Sequence, residues 1–199
     1  MGGRNLYILC MILSFLHGCI TVHPDNESTL VPSPSPVPRI GKATIRAYLN
    51  AVNQIRTEGR YCGGTEFYPA VAPLKWNSHL YRSAYEHSND MAKSNFFHHS
   101  GSNTIYDTTA SRQHLGHPST FRERIENNGY VPWKHIAENI ELGAKDIHEA
   151  IRHWLSSKPH CIYIMSPAFQ DIGMAHVKRE GTSPENYWTQ DLGSRAYKE

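Results

Sequence analysis

The stretch that decides the fold lies near the C-terminus, where residues 172–178 (IGMAHVK) and 186–192 (NYWTQDL) flank Gly181-Thr182-Ser183-Pro184. Both runs are short and rich in apolar or aromatic residues, and the segment between them contains the glycine and proline that favour a turn. The pattern therefore predicts a β-hairpin or two neighbouring antiparallel strands. Residues 136–142 are a candidate for one more strand.

Upstream of this region, apolar residues recur at the three- and four-residue spacing of amphipathic helices. The spacing predicts helices over residues 42–57 and 78–95, a short helix after the capping-box pattern at Thr120, and a fourth helix that begins at Asp146. His87 falls on the apolar stripe of the second helix, which favours a place at the edge of the core. Helices come mostly first and recognisable strands late, so the order indicates a layered α+β domain.

The composition is that of a soluble globular protein with one ordinary domain. The 199 residues are 39% hydrophobic and 19% charged, with a formal net charge of +2. No acidic or basic field dominates such a surface, so the composition argues against nucleic acid as a partner.

The N-terminus has the pattern of an export signal. Arg4 precedes an apolar run over residues 6–16. This run is too short for a membrane-spanning helix, which needs about 20 residues. We therefore predict a signal peptide over residues 1–18. The motif Leu16-His17-Gly18-Cys19 resembles a bacterial lipobox, which predicts that Cys19 is a lipid anchor and the protein a lipoprotein of the cell envelope. The alternative is ordinary cleavage nearby and release of a soluble extracellular protein.

A proline-rich segment follows the signal. Residues 19–41 contain Pro32-Ser33-Pro34-Ser35-Pro36-Val37-Pro38 and few large apolar groups, which favours extended chain over a packed structure. This composition predicts a spacer, with the folded domain over residues 42–195.

Two cysteines remain for the folded domain. Cys10 lies in the signal and Cys19 is the predicted anchor, which leaves Cys62 and Cys161. In an exported domain, two cysteines most economically form one disulfide. The alternative, a redox-active or nucleophilic thiol, requires one of them to be free.

Three segments at the ends of predicted elements combine histidine and acidic residues. They are residues 95–101 (NFFHHSG), 137–140 (AENI) and 154–161 (WLSSKPHC). With residues 164–175 (IMSPAFQDIGMA), these blocks resemble the CAP superfamily, which includes cysteine-rich secretory proteins, venom allergen-like proteins and plant pathogenesis-related proteins. The resemblance is greatest to the bacterial SCP-domain branch, and it extends from about residue 45 to residue 193.

The resemblance implies a three-layer α-β-α sandwich with a central, mainly antiparallel sheet. It also implies a cleft lined by two histidines and acidic residues, which in several family members holds a divalent metal. His99 and His160 match the two histidines and Glu138 matches the first acid. Animal members have a second glutamate three residues after the tryptophan, where this chain has Ser157.

The chemistry of the trio His99, Glu138 and His160 leaves two alternatives. Two imidazoles and one carboxylate suit zinc, or another divalent cation, with an open fourth position. The same groups also suit a hydrogen-bonded polar cluster in which the carboxylate orients an imidazole. His98 is expected to be a bystander. His148 and His153 lie one residue too far apart for the zincin His-Glu-x-x-His helix, so their spacing argues against a metalloprotease.

On these grounds we expect an exported ligand-binding module for a lipid, a metal ion or an envelope component. A metal-dependent or His/Glu-based hydrolase and a purely structural envelope protein are the alternatives. The fold alone does not select among them.

Overall fold

The computed structural model describes residues 36–64, 66–181 and 183–196. The predicted signal peptide, the predicted anchor Cys19 and most of the predicted spacer lie outside these residues. Within them, no helix is both long enough and apolar enough to span a membrane.

The described chain forms helices and strands in an order that matches the expected α+β class. In chain order they are α1 (Lys42–Arg56), β1 (Arg60–Cys62), β2 (Glu66–Tyr68), β3 (Lys75–Trp76), α2 (Ser78–Ser94), α3 (Thr108–Gln113), α4 (Phe121–Asn127), β4 (Trp133–Leu142), α5 (Ile147–Ser156), α6 (Lys158–Met165), β5 (Asp171–Lys178) and β6 (Asn186–Arg195).

The central sheet has the strand order β3-β5-β6-β4. Strands β5 and β6 pair antiparallel, which confirms the predicted hairpin, and β4 pairs antiparallel with β6. The short β3 joins β5 in parallel, whereas β1 and β2 form a separate antiparallel pair. Strand β4 is therefore an edge of the central sheet.

Alternate residues of β5 face two different helical layers. Ile172 and Met174 belong to the main hydrophobic core, which contains residues of α1, α5 and α6. Ala175 instead packs with residues of α2 on the other face. At Gly173, any Cβ would collide with the backbone of Leu80 and Tyr81, so α2 lies directly on the sheet. The architecture is the expected α-β-α sandwich.

The four predicted helices are present, and side-chain capping explains where α2, α4 and α5 begin, whereas α1 has no side-chain cap. The Asn77 side chain accepts hydrogen bonds from the first turn of α2, and Asp146 caps α5 in the same way. Thr120 and Glu123 form a complete capping box at α4. The sequence did not predict α3 and α6, because helices of six and eight residues contain too few turns for a clear periodicity and neither begins with the capping box that identified the equally short α4.

Two further contacts define the edges of the domain. Cys62 and Cys161 are disulfide-bonded across 99 positions of sequence, which confirms the predicted pairing and joins β1 to α6. At the N-terminal end, Ile40 packs with the α2 layer, and the Tyr81 hydroxyl donates to the Pro38 carbonyl at 2.9 Å. The end of the predicted spacer is thus part of the folded domain, which begins before residue 42.

Candidate functional site

The candidate site is built around Arg124, whose guanidinium is buried in α4. Its Nη2 donates to Glu138 Oε2 at 2.9 Å and to the His99 carbonyl at 2.8 Å. Its Nη1 donates to the Ser119 carbonyl and hydroxyl at 2.9 and 3.1 Å. A buried guanidinium without such partners is strongly destabilising, so these contacts fix α4, β4 and the loop before α3 relative to one another.

Glu138 connects this buried cation to the surface. Its Oε1 lies 2.9 Å from His99 Nδ1, and the His99 side chain is 49% exposed. Burial alone would raise the pKa of Glu138, but the charges of Arg124 and His87 and the hydrogen bonds from His99 and Arg124 together lower the pKa to about 2. The carboxylate is therefore ionised and can only accept, so His99 Nδ1 bears the proton. In the neutral form of this ring, His99 Nε2 is an acceptor or a metal ligand.

His87 lies beneath this pair and is fully buried, further inside than its predicted place at the edge of the core. Its Nε2 donates to the His98 carbonyl at 2.9 Å and lies 3.9 Å from Glu138 Oε1. Burial, and then the charge of Arg124, lower the pKa of His87 to about 3. His87 is thus a neutral imidazole that supports the loop from below.

The His98 side chain is turned towards its own loop. Its Nδ1 accepts from the Ser100 amide at 3.0 Å, and the residue is exposed. The same loop is held by the buried Asp90, whose Oδ2 accepts from the Ser102 amide at 2.8 Å. These contacts agree with the expectation that His98 is a bystander of the loop that presents His99.

His160 lies in α6, where the neighbouring Cys161 is fixed by the disulfide. His160 is half-buried. Burial, and then the charge of His99, lower the pKa of His160, whereas the carboxylate of Glu141 raises it. His160 therefore lies within electrostatic reach of both residues.

The structure does not form the three-ligand metal set that the sequence allowed. Among the described residues, no group of three or more His, Cys, Asp or Glu side chains is arranged to hold a metal ion. Glu138 is a poor ligand here, because Arg124 engages one of its oxygens and His99 the other. The second alternative, a carboxylate that orients an imidazole, is the arrangement that the hydrogen bonds form.

Asp191 is a buried acid that sequence analysis missed. It is paired in register with Glu138 on the adjacent strand, and neither of its oxygens has a hydrogen-bond partner among the described residues. The Ser83 hydroxyl lies close to Asp191 but not in hydrogen-bonding geometry, and its effect is to lower the pKa of Asp191. Burial, and then the charge of Glu138, raise the pKa of Asp191 well above its usual value. One buried cation, Arg124, thus compensates one of two neighbouring acids.

Sequence analysis also missed Arg124, although the sequence contains a signal for both Arg124 and Asp191. Arg124 stands between the apolar Phe121 and Ile125 in a short helix, and Asp191 is an acid within the predicted strand that ends at Leu192. A charge at such a position requires a buried partner or a changed protonation state.

The model of the cysteine-rich secretory protein family, CAP, matches residues 49–192 of this chain. Over 172 residues, the chain is 26% identical to the uncharacterized protein YkwD of Bacillus subtilis (strain 168), in an alignment that covers 86% of this chain and 53% of that protein. The chain thus spans about half the length of this relative.

Two solved structures share the fold. An outer surface protein of Borrelia burgdorferi has a TM-score of 0.57 at 14% identity, covering 79% of this chain and 97% of that chain. An extracellular protein with an SCP domain from Bacillus anthracis has a TM-score of 0.51 at 16% identity, covering 80% of this chain and 45% of that chain.

The buried Asp191 leads to a prediction about stability and pH. An aspartate in the unfolded chain loses its proton near pH 4, about its unperturbed pKa, whereas the folded protein retains the proton to higher pH. The folded state then binds more protons, so this residue costs stability as the pH rises above about 4. Asp191→Asn should therefore gain stability relative to the wild type between about pH 4 and 7, measured by urea unfolding.

The exposed Glu180→Gln serves as the matched control and should show no such trend. A difference between Asp191→Asn and the wild type that is constant across this pH range would mean that Asp191 is ionised in the folded protein.

Proposed function

The chain belongs to the cysteine-rich secretory protein family, CAP, and we propose that it is an exported module that binds a ligand between His99 and His160. In this proposal both imidazoles contact the ligand. Glu138 does not contact it and serves as a positioning residue for His99.

The observation that carries the proposal is the fixed and half-exposed imidazole of His99. Its Nδ1 is held by the ionised Glu138, and its backbone carbonyl is held by Arg124. A site that binds through an imidazole benefits when the ring and its tautomer are set in advance by a carboxylate. A purely structural protein has no need of a half-exposed ring supported in this way.

Export is supported by the sequence pattern and by two relatives. Residues 1–18 have the features of a signal peptide, and Cys19 ends the lipobox-like motif. The solved relatives are described as an extracellular protein and as an outer surface protein. We therefore include in the proposal a lipid anchor at Cys19 that tethers the domain to the cell envelope.

A second candidate function, hydrolysis with His99 as general base, is favoured by the same contact to Glu138. A base oriented by a carboxylate is one part of the arrangement that activates a nucleophile. Within the described residues, however, no serine, threonine or cysteine side chain hydrogen-bonds to His99. Hydrolysis would then need water as the nucleophile. A binding module explains the contacts of His99 without requiring any nucleophile.

Zinc is a suitable probe of the cleft, because imidazole is a preferred zinc ligand. In calorimetric titrations, His99→Ala and His160→Ala should each remove most of the zinc binding of the wild type. His98→Ala and His148→Ala are the matched controls and should retain it, since both residues are exposed and absent from the cleft. Equal losses in all four variants would indicate a histidine-rich surface, and no loss in any of them would contradict the proposed site.

The anchor is tested by labelling cells with a fatty acid. The wild type should incorporate the label and fractionate with membranes. Cys19→Ala should be unlabelled, because the lipid is attached to the sulfur atom of Cys19. Equal labelling of the two proteins, or release of both into the medium, would instead indicate an ordinary secretory signal.

A further inference from the structure

A pocket of about 510 Å³ lies on the loop that follows α2, and the trio of the proposed function does not line it. Its walls come from the end of α2, from residues 96–104 and from Pro118. The His98 side chain lines this pocket, whereas the His99 side chain contacts Glu138. A volume of this size is typical of sites for small molecules. The pocket is therefore a candidate site separate from the proposed cleft.

Three hydroxyl groups, which we call the hydroxyl triad, form a triangle in the wall of this pocket. Ser94 Oγ lies 3.1 Å from Ser102 Oγ and 3.0 Å from Thr104 Oγ1, and the Ser102 and Thr104 oxygens are 2.8 Å apart. Asp90, which is buried, anchors the triad. Its Oδ1 accepts from Ser102 Oγ at 2.5 Å, and its Oδ2 accepts from the Ser102 amide at 2.8 Å.

A second buried acid, Asp107, fixes the loop that carries the triad. Its Oδ2 accepts from the amides of Asn103 and Ser119 at 3.2 and 2.9 Å. Any Cβ on Gly101 would collide with the Asp107 carboxylate, so the loop approaches this acid closely. Two buried carboxylates thus hold the loop in place before a ligand binds, which lowers the cost of ordering it on binding.

The triad has more acceptor sites than protons. Each hydroxyl has one proton and two lone pairs. The amides of Thr104 and Tyr106 donate to Ser102 Oγ and Thr104 Oγ1, each at 3.2 Å, and the Ser102 proton is donated to Asp90. Within the described residues, these amides and the protons of Ser94 and Thr104 therefore fill at most four of the six lone pairs. At least two lone pairs remain to accept from a ligand.

His98 supplies the complementary group, a hydrogen-bond donor. Its Nδ1 accepts from the Ser100 amide at 3.0 Å, so the proton of this ring is on Nε2. The side chain is exposed and lines the pocket, which makes Nε2 available to a ligand. The pocket thus presents acceptors from the triad and a donor from His98.

Other parts of the wall are apolar. Phe96 and Pro118 line the pocket, and the Phe96 ring makes an edge contact with the buried His87, with 6.5 Å between the ring centroids. A free ion would lose hydration against these side chains without compensation. A sugar ring, by contrast, combines an apolar face of C–H groups with vicinal hydroxyls whose oxygens are spaced much as the triad oxygens are. The mixture of walls therefore favours a sugar over an ion.

We propose that this pocket binds a sugar ring, with two vicinal hydroxyls of the sugar donating to the hydroxyl triad. Another oxygen of the sugar accepts from His98 Nε2, and the C–H face of the ring packs on Phe96 and Pro118. The site goes beyond the proposed function, because it uses neither His99 nor His160. Vicinal hydroxyls on a ring are common to N-acetylated and neutral glycans, and the probes of the test distinguish these two sources.

The test is an NMR titration of the full chain with three probes: chitobiose, cellobiose and cyclohexanol, a ring without a vicinal diol. Either or both disaccharides should bind, and cyclohexanol should not. Binding of chitobiose alone would indicate an N-acetylated glycan. Thr104→Val keeps the side-chain shape and removes one hydroxyl, and His98→Ala removes the donor, so each should weaken disaccharide binding about fivefold, the effect of one hydrogen bond. Thr57→Val, at an exposed threonine after α1, is the matched control and should bind as the wild type does.

Urea unfolding of each variant shows whether it is folded, and the cleft variants show where the sugar binds. His99→Ala should bind the disaccharide as the wild type does, because its side chain is not part of the pocket wall. A loss in His99→Ala without a loss in His98→Ala would place the sugar in the cleft and overturn the inference. Failure of both disaccharides to bind, equal binding of cyclohexanol, or unchanged affinity in folded Thr104→Val and His98→Ala would overturn it as well.

Discussion

The buried ion pair between Arg124 and Glu138 is the interaction on which the site depends. Removing both charges from water is costly, and the pair is tolerated because hydrogen bonds engage the guanidinium and the carboxylate. The remaining electrostatics follow from this cation. Arg124 keeps Glu138 ionised and helps to keep His87 neutral, and it leaves the adjacent Asp191 without full compensation. The exposed His99 ring is oriented by a carboxylate that Arg124 fixes.

The layered fold places the candidate ligand groups along one edge of the sheet. The loop after α2 brings His99 from one layer, and α6, fixed to β1 through the disulfide at Cys161, brings His160 from the other. Glu138 and Glu141 extend from β4 to opposite layers. The edge strand β4 thus carries a histidine–carboxylate pair on each of its two faces.

Local patterns predicted most of the fold, because periodicity and capping depend on neighbouring residues. Four amphipathic or capped helices, the hairpin and β4 all carried such signals, and two available cysteines were enough to predict the disulfide. The short α6 helix carried no such signal, and its Pro159 lies in the first turn, where proline is well tolerated. The ion pair and the His153–Glu141 pair were missed for another reason. They join residues more than ten positions apart, and no local pattern encodes which side chains meet across layers.

The most direct measurement of the central claim is a double-mutant cycle at the ion pair, with Arg124→Met, Glu138→Gln and the combined variant unfolded in urea at pH 7. Each single variant leaves a buried partner uncompensated, so we expect each to lose about 3–5 kcal/mol. The double variant should lose much less than the sum, because it removes both charges together. Losses that add to within about 0.5 kcal/mol would contradict the account, since they would show that the two side chains act independently.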